Sequence, residues 1–356
     1  MKSLTRREAI GILGAGACAY AATPQFPKGA IIRTVLKDIP PEDLAGGATL
    51  FHEHMSLSPA FLPKFAALSR PQNAPVAAPP PQPAPPPGQA YFLEDLELMV
   101  EEMRAAGKEG VVCLVDAGHP DMGRSLDFLK HLSSESGMPI VSSAGYYTQP
   151  FYPPEVATLS EEQIAQELTR QANTAPFGAF GEIGSWDEIT PDERKVFRAV
   201  GKAHVATNLP IYTHTAFGKA ALEQLDILEA VGVKPQRVCI GHVGGLIDLK
   251  VEAHKALCKR GAYIGFDRQG GPGDARQVPM VMALIEAGYA DNLLFASDFS
   301  NAAQLKRNGG PGYAKTVTLF APKLREAGAK EETLHGILVD NPRRFLAFVP
   351  KKARKS

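Results

Sequence analysis

The sequence predicts an α/β chain closed into a (β/α)8 TIM barrel, on three observations. Eight short apolar runs recur at 48–54, 111–118, 139–147, 178–184, 209–215, 237–243, 261–267 and 293–299, rich in β-branched, aromatic or small residues. Between them lie segments with apolar residues at helical spacing, such as 93–106, 192–207 and 249–260. Strands separated by helices pair in parallel through right-handed crossovers, and eight such units close naturally. The glycine-rich turn that would open a doubly wound dinucleotide fold is missing after the first run.

The first residues follow another pattern. Lys2 and Arg6-Arg7 precede an apolar, small-residue run over 9–22 that ends near Ala19-Tyr20-Ala21. The run is short for a membrane span and has the three-part layout of an export signal. Its paired arginines resemble a twin-arginine leader. The chain therefore divides into a leader over 1–22 and one domain over 23–350, bound for the periplasm or the exterior. Lipidation of Cys18 stays open. A total of 356 residues suits one barrel with such a leader. Lys+Arg and Asp+Glu both number 38, so no net field recruits nucleic acid or an anionic membrane. Cys113, Cys239 and Cys258 have neither zinc-site nor disulfide spacing, and Cys113 and Cys239, in apolar runs, read as buried thiols.

Nine prolines mixed with alanine and glutamine fill 71–88, in the loop after the first strand. Without backbone donors this insertion should be extended or unpacked. It either edges the mouth of the barrel or is inert.

The chemistry is carried by what ends the strands. His52 and His54 close the first run, and residues two apart on a strand point the same way, here inward, with Glu53 outward. Glu182 lies in the fourth run, His214 and His242 end the fifth and sixth, and Asp298 ends the eighth. All fall toward the C-terminal ends of their strands, where barrel active sites converge. Four imidazoles and two carboxylates in one small buried volume would cost several kcal/mol without a cation. The donor set suits two divalent ions, zinc first, with manganese, cobalt and iron as alternatives. His52, His54 and Asp298 are assigned the more buried ion, His214 and His242 the outer one, and Glu182 the bridge. Such ions lower the pKa of bound water from about 15.7 to about 7, and a hydroxide bridging them would be the nucleophile. Asp298 is the expected catalytic base.

These motifs resemble the phosphotriesterase family of the amidohydrolase superfamily. Thr49-Leu50-Phe51-His52-Glu53-His54 is similar to its first-strand signature, and Tyr212-Thr213-His214-Thr215 and Val238-Cys239-Ile240-Gly241-His242 to its fifth and sixth. Asn341-Pro342-Arg343-Arg344-Phe345-Leu346 is similar to its closing helix. The resemblance covers most of 45–348 and implies a metal-dependent hydrolase of esters, lactones or phosphotriesters. Three departures matter. Glu182 stands where the family usually has a carbamylated lysine. Arg268 and Gly245 fall where the organophosphate-degrading members place a histidine and an acid that relay the proton. Tyr147 replaces their tryptophan. Tyr147 and Arg268 look more like the lactonase branch and are assigned to substrate binding. Arg268 would orient a carbonyl or carboxylate, or instead pair with Asp267.

Gly181-Glu182-Ile183-Gly184 also resembles a motif of TatD-type metal nucleases, which gives one alternative function; a non-catalytic metal-binding barrel is the other. His119 is read as a solvated loop residue, with substrate contact as the alternative. His131, His204, His254 and His335 lie in helical patterns as surface or packing residues, and Trp186 either lines the pocket or packs. The expected partner is a small-molecule substrate, without nucleic acid or a membrane span. A homodimer is left open.

Overall fold

The computed structural model describes residues 24–68, 91–246, 248 and 250–351. The leader and the proline-rich insertion lie outside the described residues.

Eight parallel strands form one sheet in sequential order: β1 (Ala48–Glu53), β2 (Val111–Asp116), β3 (Ile140–Ala144), β4 (Phe177–Gly184), β5 (Ile211–His214), β6 (Val238–Ile240), β7 (Tyr263–Phe266) and β8 (Leu293–Phe295). Each matches one apolar run. All but the first residue of β7 and the second of β2 are buried, as expected of strands covered on both faces. The seam between β8 and β1 is bridged by the main chain, His54 N to Phe299 O at 3.2 Å and Asp298 N to His52 O at 3.1 Å. The carboxylate of Glu53 staples the same seam. It accepts from Ser297 N at 2.8 Å, Ser297 Oγ at 2.7 Å and Phe299 N at 2.9 Å.

The helices are α1 (Phe61–Leu68), α2 (Leu96–Lys108), α3 (Leu126–Ser136), α4 (Glu161–Thr174), α5 (Pro191–Thr207), α6 (Ala221–Glu229), α7 (Glu252–Lys259) and α8 (Asp274–Glu286). Several starts are fixed by local chemistry. Ser160 with Gln163 and Thr190 with Glu193 form capping boxes on α4 and α5, each satisfying two backbone donors reciprocally. Further helical turns at 316–326 and 331–346 complete the shell. At the opposite end from the site, the hairpin of Ile32–Arg33 with Asp38–Ile39 covers the strand starts, with Val35 N donating to Ile140 O at 2.8 Å.

One local expectation changes. Simple alternation along β1 does not hold, because its register against β2 shifts between Leu50 and Glu53. Phe51 therefore also reaches the interior, edge-on to Tyr212 at 6.3 Å, beneath His52. Glu53 is turned into the seam rather than toward solvent, and is fully buried.

Candidate metal centre

Six side chains from five strand ends meet at the mouth. His52 leaves β1 and His54 follows it; Glu182 is inside β4, and His214 ends β5. His242 and Asp298 follow β6 and β8 in left-handed backbone, at φ 58° and 50°. Left-handed backbone is uncommon for side-chain-bearing residues and recurs at functional sites. Here hydrogen bonds hold it. His242 N donates to both oxygens of Asp267, at 3.2 and 3.0 Å, and Asp298 N to His52 O.

Glu182 is the centre of the cluster. Its Oε1 lies 3.4 Å from His54 Nε2, and its Oε2 lies 2.8 Å from His214 Nδ1, 3.3 Å from His52 Nε2 and 3.4 Å from His242 Nε2. Asp298 Oδ1 is 3.2 Å from His54 Nε2 and 3.9 Å from His52 Nε2. Two sets of donor atoms fall within 4.8 Å of one another: His52, Glu182 and His242, and His52, His54 and Asp298. His52 thus lies in reach of both.

Asp267, just beyond β7, is a further member that the sequence reading did not assign to the site. It is 1% exposed and faces His242 Nδ1 at 2.8 Å and His52 Nδ1 at 3.2 Å. A carboxylate behind the second nitrogen of a ligating imidazole sets its tautomer and orientation. Asp267 does so for two rings. Its place at the end of the seventh strand, level with the other ligands, was the available signal. Arg268 consequently does not pair with it. Arg268 Nε instead donates to Asp298 Oδ2 at 2.9 Å.

Electrostatics show what the cluster fits. Burial alone would lower His52 and His54, but Glu182 and Asp267 hold His52 well above the ordinary range, and Asp298 and Glu182 raise His54 to about 9. Burial takes His214 down to about 4 despite Glu182. Against their own desolvation, Glu182 is held low by His52 and His214, and Asp298 by His54 and Arg268. Two buried carboxylates, Glu182 and Asp267, and the half-buried Asp298 therefore face four imidazoles, and Arg268 is the permanent cation bonded to Asp298. His52 Nε2 points into the cluster with no hydrogen-bond partner. A buried imidazole nitrogen in search of a partner, among oxygens and nitrogens of this type, fits divalent cations.

The pocket over the cluster is small, about 50 Å³. Helix α1 roofs it with Phe61, Leu62 and Phe65, opposite Tyr147, Arg268 and Ser300. Tyr147 is buried where expected, its hydroxyl 3.3 Å from the ring nitrogens of His214. Trp186 is not on the pocket wall; it stacks behind Phe65 at 5.5 Å.

His119 corrects the sequence reading. It is fully buried rather than solvated, with Nε2 2.5 Å from Gly181 O, and burial holds it near 3, so it supports the β4 backbone as a neutral ring. His204 and His254 pack inside, whereas His131 and His335 are at the surface. The three described cysteines are buried and free. Among the described residues no helix is long and apolar enough to cross a membrane.

Comparison with known proteins agrees with this geometry. The phosphotriesterase homology protein of Escherichia coli is 34% identical over 265 residues, spanning 71% of this chain and 89% of its own. The N-acetyltaurine hydrolase of Danio rerio is 26% identical over 347 residues, 89% of this chain and 98% of its own. The crystal structure of a lactonase from Listeria monocytogenes superposes with a TM-score of 0.74 at 26% identity, covering 89% of this chain and 98% of the other. The model of the phosphotriesterase family matches residues 31–346, and the chain belongs to that family.

Proposed function

We propose that the protein is a binuclear metal-dependent hydrolase that opens an ester or lactone carbonyl. The observation that carries this reading is Glu182, which meets all four imidazoles, with Oε1 toward His54 and Oε2 toward His52, His214 and His242. With one carboxylate so placed, His52, His54 and Asp298 would hold one cation and His214 and His242 a second, Glu182 serving both. The ions, zinc in the first instance, would activate water at neutral pH and polarise the substrate carbonyl.

The protein groups do the rest. Asp298 accepts the proton of the attacking water through a carboxylate that Arg268 orients from Oδ2. A guanidinium has no lone pair to pass a proton on, so Arg268 cannot continue a relay as a histidine would. The proton leaves Asp298 directly for the departing oxygen, which suits a carbonyl ester or lactone. Phe61, Leu62 and Phe65 exclude water and hold the acyl part, and the Tyr147 hydroxyl supplies the polar wall beside it. The lactonase and the N-acetyltaurine hydrolase among the relatives favour a carbonyl substrate over a phosphotriester, and the family match favours this reading over the nuclease alternative. Export through the twin-arginine-like leader belongs to the same proposal and is checked by cell fractionation.

The test is a panel of lactones, aryl esters, phosphotriesters and single-stranded DNA with metal-loaded protein. Hydrolysis of lactones or esters is expected. Turnover confined to phosphotriesters or DNA, or to nothing, overturns it.

A further inference from the structure

A second, larger cavity of about 480 Å³ opens beside the metal pocket, sharing His242 and Arg268 with it. Its other walls come from two loops and a helix: Phe217 after β5, Gly244 and Gly245 after β6, and Arg276 and Gln277 in the first turn of α8. None of these residues takes part in the chemistry described above.

Three features of this cavity point to a ligand. Arg276 is exposed, and its guanidinium has no hydrogen-bond, ion-pair or ring partner among the described residues. The other described arginines are paired; this one offers its full charge to whatever enters. Gln277 is 5% exposed, donates from Nε2 to Arg268 O at 3.3 Å, and leaves its buried Oε1 without a donor. That oxygen waits for an N–H or O–H, since an unmade buried hydrogen bond is costly. Phe217 is 59% exposed although it is a large apolar ring, with the Arg268 guanidinium 5.4 Å from its centroid. The two glycines let their loop pack closely against this wall. A Cβ on Gly244 would come within 3.2 Å of Gln277 Oε1, and one on Gly245 within 3.0 Å of Phe217. Asp267 also borders the cavity, but its oxygens are turned to His242 and His52.

We propose that this cavity is a subsite for the anionic arm of the substrate. The carboxylate, or an equivalent anion such as a sulfonate, is read by Arg276, a donor on the connecting segment meets Gln277 Oε1, and the apolar part lies on Phe217. The scissile carbonyl then sits at the metal cluster next door. This proposal rests on the hydrolase reading and adds the charge and polarity of the substrate. It involves no new bond chemistry, since the arm is held and not transformed.

Two measurements on the metal-loaded full chain test it. The first compares loss of the acetyl group from 4-acetoxybenzoate and from its methyl ester, a pair that differs in one charge and one methyl group. The charged ester is expected to be preferred. Arg276→Ala should lower the charged-to-neutral ratio of kcat/KM by about tenfold, mainly through KM, as for a lost charge-assisted hydrogen bond. Arg276→Lys should restore part of that ratio. The second follows the rise in Tm given by 4-hydroxybenzoate, 3-hydroxybenzenesulfonate and methyl 4-hydroxybenzoate, which reads binding without turnover. Both anions, or one of them, should bind more tightly than the neutral compound, and Arg276→Ala should erase the difference. An anion held only by the metal cluster would keep its affinity in Arg276→Ala, and that result overturns the subsite. An unchanged kcat/KM ratio does the same. If wild-type protein hydrolyses neither ester, the binding measurement alone decides the subsite, and the hydrolase reading stands or falls on the wider panel.

Discussion

His54 and His204 are both nearly sealed from solvent, at 3% and 6% exposure, yet they are set up for opposite purposes. His54 Nε2 faces carboxylate oxygens of Asp298 and Glu182 at 3.2 and 3.4 Å, and is raised to about 9. His204 Nδ1 meets the main-chain carbonyl of Leu209 at 2.6 Å, and burial lowers it to about 4. The division of partner atoms runs through the molecule, although burial still takes His214 down to about 4 beside Glu182. His52, His214 and His242 lie against Glu182, whereas His119 and His254 bond the carbonyls of Gly181 and Val243. A neutral imidazole donates one N–H to a carbonyl and is content in an apolar surrounding. An imidazole packed among carboxylates takes up either a proton or a cation. The partner atom, rather than burial, separates metal-centre histidines from structural ones.

The sharpest way to break this comparison is to remove the carboxylate common to the first group. Glu182→Ala should drop metal content from about two ions per chain to well below one, with hydrolysis falling to background. It leaves buried imidazoles without their partner, a loss of about 3–5 kcal/mol for a broken buried pair. Elemental analysis after dialysis reads the outcome, and full retention of both ions would remove Glu182 from the bridge. Asp298→Asn comes next. It keeps shape and most hydrogen bonding but loses the proton acceptor, so kcat should fall by about 10²–10⁴-fold in protein reloaded with metal. Unchanged turnover of every ester would show that Asp298 is not the base, and would reopen the non-catalytic reading.

A smaller effect is expected one step behind the ligands. Asp267→Asn should weaken metal binding by about 10–100-fold, because the rings of His52 and His242 lose the acceptor that fixes their tautomers. Competition with a chelator measures it. An unaltered metal affinity would make Asp267 a purely structural residue.

Asp267 also marks where the sequence stopped being informative. The eight strands were visible because alternating helices and apolar runs leave periodic traces, and each run holds one strand. The six-residue cluster was visible because ligands at strand ends share one face of a barrel. The strand ends were less clear. His242 and Asp298 lie in left-handed turns that residues with side chains rarely adopt, so nothing in their identity announced the end of β6 or β8. Asp267 beside Arg268 looked like half of an ion pair, and only the packed structure shows that the acid turns inward while the arginine turns to Asp298. The burial of His119 depends on a contact with Gly181, 62 positions away, which no local pattern carries. The cavity around Arg276 and Gln277 is built from two loops and a helix and leaves no periodic trace.

The gentlest change falls on the carbonyl-facing group and isolates it from the metals. His204→Gln keeps a donor for the Leu209 carbonyl and removes the titration. His204 is depressed in the folded state, to about 4, relative to about 6.5 in the unfolded chain. Its contribution is therefore fully present above pH 6.5 and is lost as pH falls toward 4, since protonation favours the unfolded chain. The shift corresponds to at most about 3 kcal/mol over that window. Near pH 7.5 the variant should be within about 1 kcal/mol of wild type, with its metal content intact. Between pH 6.5 and 4 the wild type should lose stability faster than the variant, as read from urea midpoints on metal-free samples of both. Parallel pH curves would mean that His204 titrates alike in both states, and its carbonyl partner would then say nothing about its protonation.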